Sequence, residues 1–368
     1  MRARLLASAD NSFTGFVQAG TVDLLDGPGV FEHAYSADFG HGFLDIRAAL
    51  LPIGPTTLPT VNGGTVATRD FGFATGGALG DAVAQSLSGI DLAVSDAFGG
   101  SFDVAAKSFA TPAQPEPLAV PVAARAFGRD LRDARTAAAP SPLARSFAGH
   151  AGQTLELAAA DGRTRAAVLV GGGESHGIAL SHRLTDGSLG LDLGLKVAHD
   201  DGTLMGFGDA SGGRGADMAA VTFGLSHDTG TGGFLALSAE IGVADLAAPA
   251  ALSSVSAARF DSVSLDLGSR SVLARGDRLS LGVSMPLAVT SGSARMVAPV
   301  ALGEGRTEMR SVALDLAPLA RQVDISIGYQ MPVGRNAELL FEAVHAENHG
   351  NRAGLSDSAA VIGLTWRF

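Results

Sequence analysis

A serine among glycines, two histidines four apart and a run of three glycines are the places in this 368-residue chain where residue type and spacing suggest chemistry. Gly208-Asp209-Ala210-Ser211-Gly212-Gly213 offers a hydroxyl in a turn, as a nucleophile requires. One extra residue separates this run from a Gly-Asp-Ser-Gly-Gly nucleophile pattern, and the setting is a Gly-rich loop between strands. His345-Ala346-Glu347-Asn348-His349 has the histidine spacing of a zinc site, but such a site needs a helix and a glutamate directly after the first histidine. Here the glutamate comes one place late and the context is a strand end, so these read as solvated loop residues. Gly171-Gly172-Gly173 lacks the strand-turn-helix setting of a phosphate loop, and a hairpin turn accounts for it. Cysteine is absent, which removes thiol catalysis, disulfides and thiolate metal sites. The formal charge of −11 provides no basic footprint for nucleic acid. No catalytic residue, metal ligand or cofactor is predicted in this chain.

The elements that dominate the sequence are strands. In the last eleven residues, Ala360, Ile362, Leu364, Trp366 and Phe368 alternate with Ala359, Val361, Gly363, Thr365 and Arg367. Successive side chains of a strand point to opposite faces, so this is a strand running to the carboxyl terminus. The same period recurs from residue 153 onward. Leu189, Leu191, Leu193, Leu195 and Val197 oppose Gly190, Asp192, Gly194 and Lys196, and Val323, Ile325, Ile327 and Tyr329 oppose Asp324, Ser326 and Gly328. Thirteen segments qualify: 153–160, 164–171, 175–184, 188–199, 218–227, 233–243, 261–268, 277–287, 289–299, 307–316, 322–332, 337–347 and 358–368. The weakest is 153–160, because Ala158-Ala159-Ala160 carries little β signal; dropping it leaves twelve. One face of these strands is aliphatic and the other small or charged. Mean hydropathy is +0.25, yet no apolar run reaches the roughly 18 residues of a transmembrane helix. A closed sheet with lipid outside and a polar lumen inside satisfies both facts. Such barrels close with an even number of strands and carry aromatic girdles. Phe223, Phe234, Tyr329, Phe341, Trp366 and Phe368 supply sparse ones.

Before the strands the chain changes character. Residues 55–110 are Gly/Ala-rich, with a helical look through Leu79, Val83 and Leu87 and two short strands about Gly99-Gly100. Thr111-Pro112-Ala113-Gln114-Pro115-Glu116-Pro117 marks a linker. An Ala/Arg-rich stretch from Ala119 to Ala148 then reads as either a solvated linker or a helix threading the lumen. The first ten residues lack the 7–15-residue apolar core of a secretory signal. A cytoplasmic protein is the plain reading of that, and the tail of a longer secreted protein is the other.

Two stretches near the start carry a family resemblance. Arg4 to Asp10 forms a short helical pattern, and Phe39-Gly40-His41-Gly42-Phe43-Leu44-Asp45-Ile46-Arg47-Ala48-Ala49 a glycine-flanked turn into a helix ended by Pro52. In this order they resemble the carboxyl-terminal edge of a subtilisin-like serine protease (subtilase) domain. That family's Asp, His and Ser would all lie before Met1, and no Gly-Thr-Ser occurs in the chain. Ser175-His176-Gly177 lacks the threonine of the family's histidine motif, and His41 falls in the closing motif as a structural residue. A triad acts only as a set, so the chain alone is expected to be inactive as a protease.

A subtilase edge, a connector, a linker and a strand-rich end closing on Phe368 is the arrangement of subtilase autotransporters. Arg278 to Leu287 and Leu314-Asp315-Leu316-Ala317-Pro318 resemble their barrel. The resemblance implies a remnant of an α/β peptidase domain at 1–54, a connector at 55–110, a linker with a possible pore helix at 111–152 and a twelve-stranded antiparallel outer-membrane barrel at 153–368. It implies a translocator that anchors in the bacterial outer membrane and displays an amino-terminal passenger. Its partners would be outer-membrane lipid, the barrel-assembly machinery and its own passenger. Ile362, Leu364, Trp366 and Phe368 are the expected assembly signal. No asparagine lies between Asn62 and Asn336, so passenger release by asparagine cyclisation in the linker is not expected. The rival readings are a serine endopeptidase in a longer chain and a soluble β-rich adhesin or interaction module.

Overall fold

A computed structural model describes the protein apart from residues 26–30, 61–62, 128–146, 148–152, 171–173, 210–211, 304–305, 335–336 and 367–368, and apart from the side chains of 124–127, 209 and 212–214. The protein is mainly β, with large antiparallel sheets. It divides into two units: Met1–Gly72, Leu87–Phe109 and Val297–Val312 in the first, and Phe73–Ser86, Ala110–Met296 and Ala313–Phe368 in the second.

The second unit is built on an eleven-stranded meander. Its strands are β1 (Gln153–Ala158), β2 (Thr164–Val170), β3 (His176–Asp186), β4 (Leu189–Asp200), β5 (Ala216–Asp228), β6 (Gly233–Leu246), β7 (Ala258–Arg270), β8 (Arg278–Ser291), β9 (Val323–Val333), β10 (Ala337–Glu347) and β11 (Ser356–Trp366). Each strand pairs antiparallel with its neighbour in chain order. From β3 onward every strand has at least 11 residues, the length a tilted strand needs to span a bilayer. The connections differ at the two ends. At one end they are 159–163, 187–188, 229–232, 271–277 and 334–336. At the other they include 201–215, 247–257, 292–322 and 348–355. We call these the turn end and the loop end; β11 runs toward the turn end.

Strand pairing corrects the sequence reading at two places. Segment 153–160, set aside for its alanines, does contain a strand: β1 pairs with β2 from Gln153↔Val170 to Ala158↔Arg165. Segments 289–299 and 307–316 yield strands Ser293–Ala301 and Thr307–Asp315, but these pair with each other inside the 292–322 connection. Alternation identifies a strand; it does not name the strand's partner. The sheet therefore has eleven described strands, with β1 and β11 running in the same direction. Among the described residues these two do not pair with each other.

The first unit holds α1 (Arg2–Ala7), α2 (Ile46–Ala49) and three short hairpins: Gly20–Asp23 with Glu32–Tyr35, Thr57–Pro59 with Thr65–Ala67, and Asp91–Ser95 with Ser101–Ala105. Asp45 caps α2 by accepting the Ala48 N–H at 2.9 Å. The two stretches singled out in the sequence meet: Asp10 and Phe43 exchange both backbone hydrogen bonds, at 2.8 and 2.9 Å. Arg4 ties the unit together. Its guanidinium donates to the Ala49 and Leu51 carbonyls at 2.7 and 2.6 Å and pairs with Asp96 at 2.5 Å. Asp96 also accepts the N–H groups of Ile53, Phe98 and Gly100. Burial pushes the Asp96 carboxyl up, but the Ile53 and Gly100 amides and the Arg4 charge outweigh it and hold it below the ordinary carboxylate range.

Candidate functional site

The eleven-stranded sheet has its chemistry reversed relative to a water-soluble sheet. A soluble sandwich turns aliphatic side chains toward its core and polar ones to water. Here one unbroken cross-strand row reads Leu157, Ala166, Leu180, Leu195, Val221 and Ile241, over six strands. A second reads Leu191, Leu225, Leu237, Leu265, Val283 and Ile325. These rows lie on the outer face: Leu195 is 64% exposed, Ile241 69% and Ile325 56%. Burying one such side chain is worth roughly 1.5–3 kcal/mol. Held against water, the belt would forfeit on the order of tens of kcal/mol.

The opposite face is polar and buried. Asp192, Lys196, Thr222, Glu240, Ser264, Asp324 and Glu342 each expose less than a tenth of their surface. Lys196 pairs with Glu240 across the intervening strand β5. The Lys196 ammonium also lies 5.9 Å from the Phe260 ring centroid and 5.7 Å from that of Phe147. Arg183 sits 3.5 Å from Asp192 and donates to the Ser226 hydroxyl at 2.6 Å. Ser238 and Ser264 hydrogen-bond at 2.6 Å, and the Gln322 amide donates to Asp324 at 2.7 Å. Buried charges are tolerable only when paired in this way.

Part of the linker lies on this inner face. Helix α3 (Ala119–Phe127) follows Leu118, and Leu118 and Val122 pack against Val344 and Ala346 of β10, with Ala359 and Val361 of β11 alongside. Its entry is fixed at the loop end. The Leu118 N–H donates to Asp357 at 2.9 Å, and the His349 Nε2–H to the Glu116 carbonyl at 2.9 Å. Phe147 packs on Ala167, Leu169, Ala179 and Ala198 of β2, β3 and β4. Gly177 makes room for that ring, since a Cβ there would stand 2.8 Å from it. Of the Ala119 to Ala148 stretch, read in the sequence as either a linker or a helix, residues 128–146 and 148 lie outside the described residues.

The strands are also staggered. The row that begins at Leu191, two residues from the turn end of β4, passes through Ile325, two residues from the loop end of β9. The pairing register therefore drifts steadily along the strands from β4 to β9.

The predicted signal residues Ile362, Leu364 and Trp366 share the outer face of β11 and are 72%, 60% and 59% exposed; Phe368 lies outside the described residues. Of the proposed aromatic girdles, Tyr329 and Phe341 pair directly across β9 and β10 on this face. Phe234 departs from the expectation. It is buried on the inner face, with the Arg278 guanidinium 4.2 Å from its ring centroid. The even residues of β6 all point inward, and Phe234 follows that parity.

Among the described residues, the motifs weighed in the sequence fall at separate places in the fold. Phe207–Asp209 and Gly212–Arg214 form the arms of a small hairpin; Ser211 itself, like Gly171 to Gly173, lies outside the described residues. The Ser175 hydroxyl accepts the Asp201 N–H at 3.1 Å. His41 stacks on His33 at 5.4 Å. Strand register does create one grouping that sequence spacing hid. The Ser358 hydroxyl is 2.7 Å from His345 Nδ1, and His345 Nε2 is 3.1 Å from Glu347. Ser358 stands opposite His345 in the β10–β11 ladder, and its own N–H donates to Asp357 at 2.8 Å. Among the described residues no group of three His, Asp or Glu side chains is placed to share a metal ion. Among the described residues no helix is long and apolar enough to cross a membrane, which says nothing of strands. No family model matches the chain, and no curated protein or solved structure does.

Proposed function

We propose that this chain is the outer-membrane translocator and anchor of a subtilase autotransporter, with the eleven strands belonging to a twelve-stranded barrel. The observation that carries the reading is the reversal of faces: an aliphatic belt outside and paired charges within. Strand length, the contrast between short turns and long loops, and the stagger support it. An even barrel needs one strand more than the eleven described, antiparallel to both β1 and β11. The role is physical rather than catalytic. The belt faces lipid, Trp366 sits at the turn end of β11, and the inner face holds α3 and Phe147.

The passenger assignment rests on the amino-terminal resemblance, supported by the contact between its two stretches at Asp10 and Phe43. Sequencing the gene upstream of Met1 tests it. An in-frame Asp, His and Gly-Thr-Ser set is expected, and an unrelated upstream region would remove the protease from the account. For the barrel, expression in a Gram-negative host should place the chain in the outer-membrane fraction. Unheated samples should migrate differently from heated ones on a denaturing gel. Recovery as a soluble protein without that shift would favour the soluble β-rich module.

A further inference from the structure

We propose that the connector segment Phe73–Ser86 is a stopper closing the loop end of the sheet's interior, an inference that rests on the barrel reading. The segment is bonded to three of the loop-end connections. In 201–215, the N–H groups of Gly76, Gly77 and Ala78 donate to the carbonyls of Gly206, Thr203 and Leu204, at 3.0, 3.0 and 2.8 Å. Phe73–Thr75 adds as a strand to Phe207–Asp209, and the Phe73 and Phe207 rings meet edge to face at 5.5 Å. In 348–355, Asn351 donates to the Gly77 carbonyl and to the Leu287 carbonyl of β8, both at 3.2 Å, and accepts the Gln322 N–H at 3.0 Å. The Ala353 N–H donates to Asp81 at 3.2 Å. In 292–322, the Asp315 N–H donates to the Ser86 hydroxyl at 2.9 Å.

The fit leaves no slack. Gly80 has φ +53°, and a Cβ on it would stand 2.0 Å from the Asn351 carbonyl oxygen. Ala78, Leu79 and Val83 are wholly buried. Asn351 itself adopts φ +56°, a conformation asparagine tolerates better than most residues. Asn351 thus joins the stopper to the rim in a single side chain. The loops it joins leave from β4 and β5, from β8 and β9, and from β10 and β11, so the segment runs between distant parts of the meander. A flexible tether would not need three separate sets of bonds, a strained rim residue and a glycine with no room for a methyl group.

The absence of cysteine makes a thiol-accessibility test clean. Ser264→Cys places a reporter on the buried inner face, and Ala257→Cys one on an exposed loop-end residue. The full chain, displayed on intact cells, is exposed to a membrane-impermeant maleimide. The loop reporter is expected to label readily and the interior reporter slowly. Two substitutions release the stopper from different sides. Asn351→Gly removes the rim side chain while keeping the positive φ, and Gly77→Pro removes the N–H that bonds Thr203. Each should speed labelling at position 264 about tenfold, in line with the loss of one hydrogen bond between the stopper and the rim. Heat-modifiable mobility should be retained. Unchanged slow labelling in both variants, or fast labelling of the interior before release, overturns the stopper. A loop reporter that stays unlabelled, with no heat-modifiable band, overturns the barrel reading and the stopper with it.

Discussion

The sheet and the first unit both show apolar side chains to the outside, in two different patterns. On the sheet they recur at every second residue over strand after strand, from Leu157 in β1 to Trp366 in β11. In the first unit they cluster in one stretch of chain: Phe39, Phe43, Leu44, Ile46, Leu50 and Leu51 are all exposed, with Phe13 against Phe39 and Phe43 at 5.3 and 4.5 Å. On the proposed reading, this recurring period of two is what makes the outer face a surface for an apolar surrounding. A local cluster is the mark of a packing face left open among the described residues. The buried charges differ too. Lys196 and Glu240 answer each other side chain to side chain within a polar face, whereas the Arg4–Asp96 pair is embedded in backbone donors and acceptors. On the proposed reading, the contrast is between a lipid-facing belt and a local apolar cluster.

Substitutions can sharpen or break this contrast. The largest effect is expected at the inner face. Lys196→Met leaves the Glu240 carboxylate buried without its partner, and should cost about 3–5 kcal/mol. Adding Glu240→Leu should recover most of that, read as the denaturant midpoint of the refolded protein. A loss that the double variant does not recover would mean the pair is not isolated as described. Next, Val221→Arg puts a charge in the middle of the outer belt. In a bilayer this should cost about 2–4 kcal/mol and deplete the folded, heat-modifiable form; in a water-facing sheet it would do little.

The pH dependence of the first unit should come third. The Asp96 carboxyl is held low in the folded unit, so its contribution is present above the ordinary carboxylate pKa. It is lost as pH falls through the lower folded value. Amide exchange around Ile53 and Gly100 should accelerate on acidification, and Asp96→Asn should flatten that response. Exchange that is unaltered by the substitution would detach the effect from Asp96. The smallest change is expected for Ile46→Arg. That side chain is already 62% exposed, and the folded chain should shift by less than about 0.5 kcal/mol. Equal damage from Ile46→Arg and Val221→Arg would erase the distinction between the two surfaces.

Much of the sheet was legible because alternation is a local signal. Every candidate segment from 164 onward contains a strand. Pairing was less legible. Nothing in residues 289–316 announces that their two strands turn to each other, because partner choice depends on the loop that carries them. Strand β1 was hidden by Ala158 to Ala160, whose weak propensity is overridden by the ladder to β2. The inner-face pairs were the least visible. Lys196 and Glu240 are 44 positions apart and meet only through the register of β4, β5 and β6. The Ser358–His345 contact likewise needs the β10–β11 register. The outward placement of Ile362, Leu364 and Trp366, in contrast, could be read directly from period two.

Trp366 is the only tryptophan in the chain, and its place on the outer face makes it a direct probe of what that face touches. The purified protein, reconstituted into vesicles, can be titrated with brominated-chain lipids and, separately, with aqueous iodide. The account predicts blue-shifted emission that brominated lipid quenches strongly and iodide quenches weakly. Emission quenched by iodide and indifferent to brominated lipid would contradict the claim that the aliphatic face of the sheet is a lipid surface.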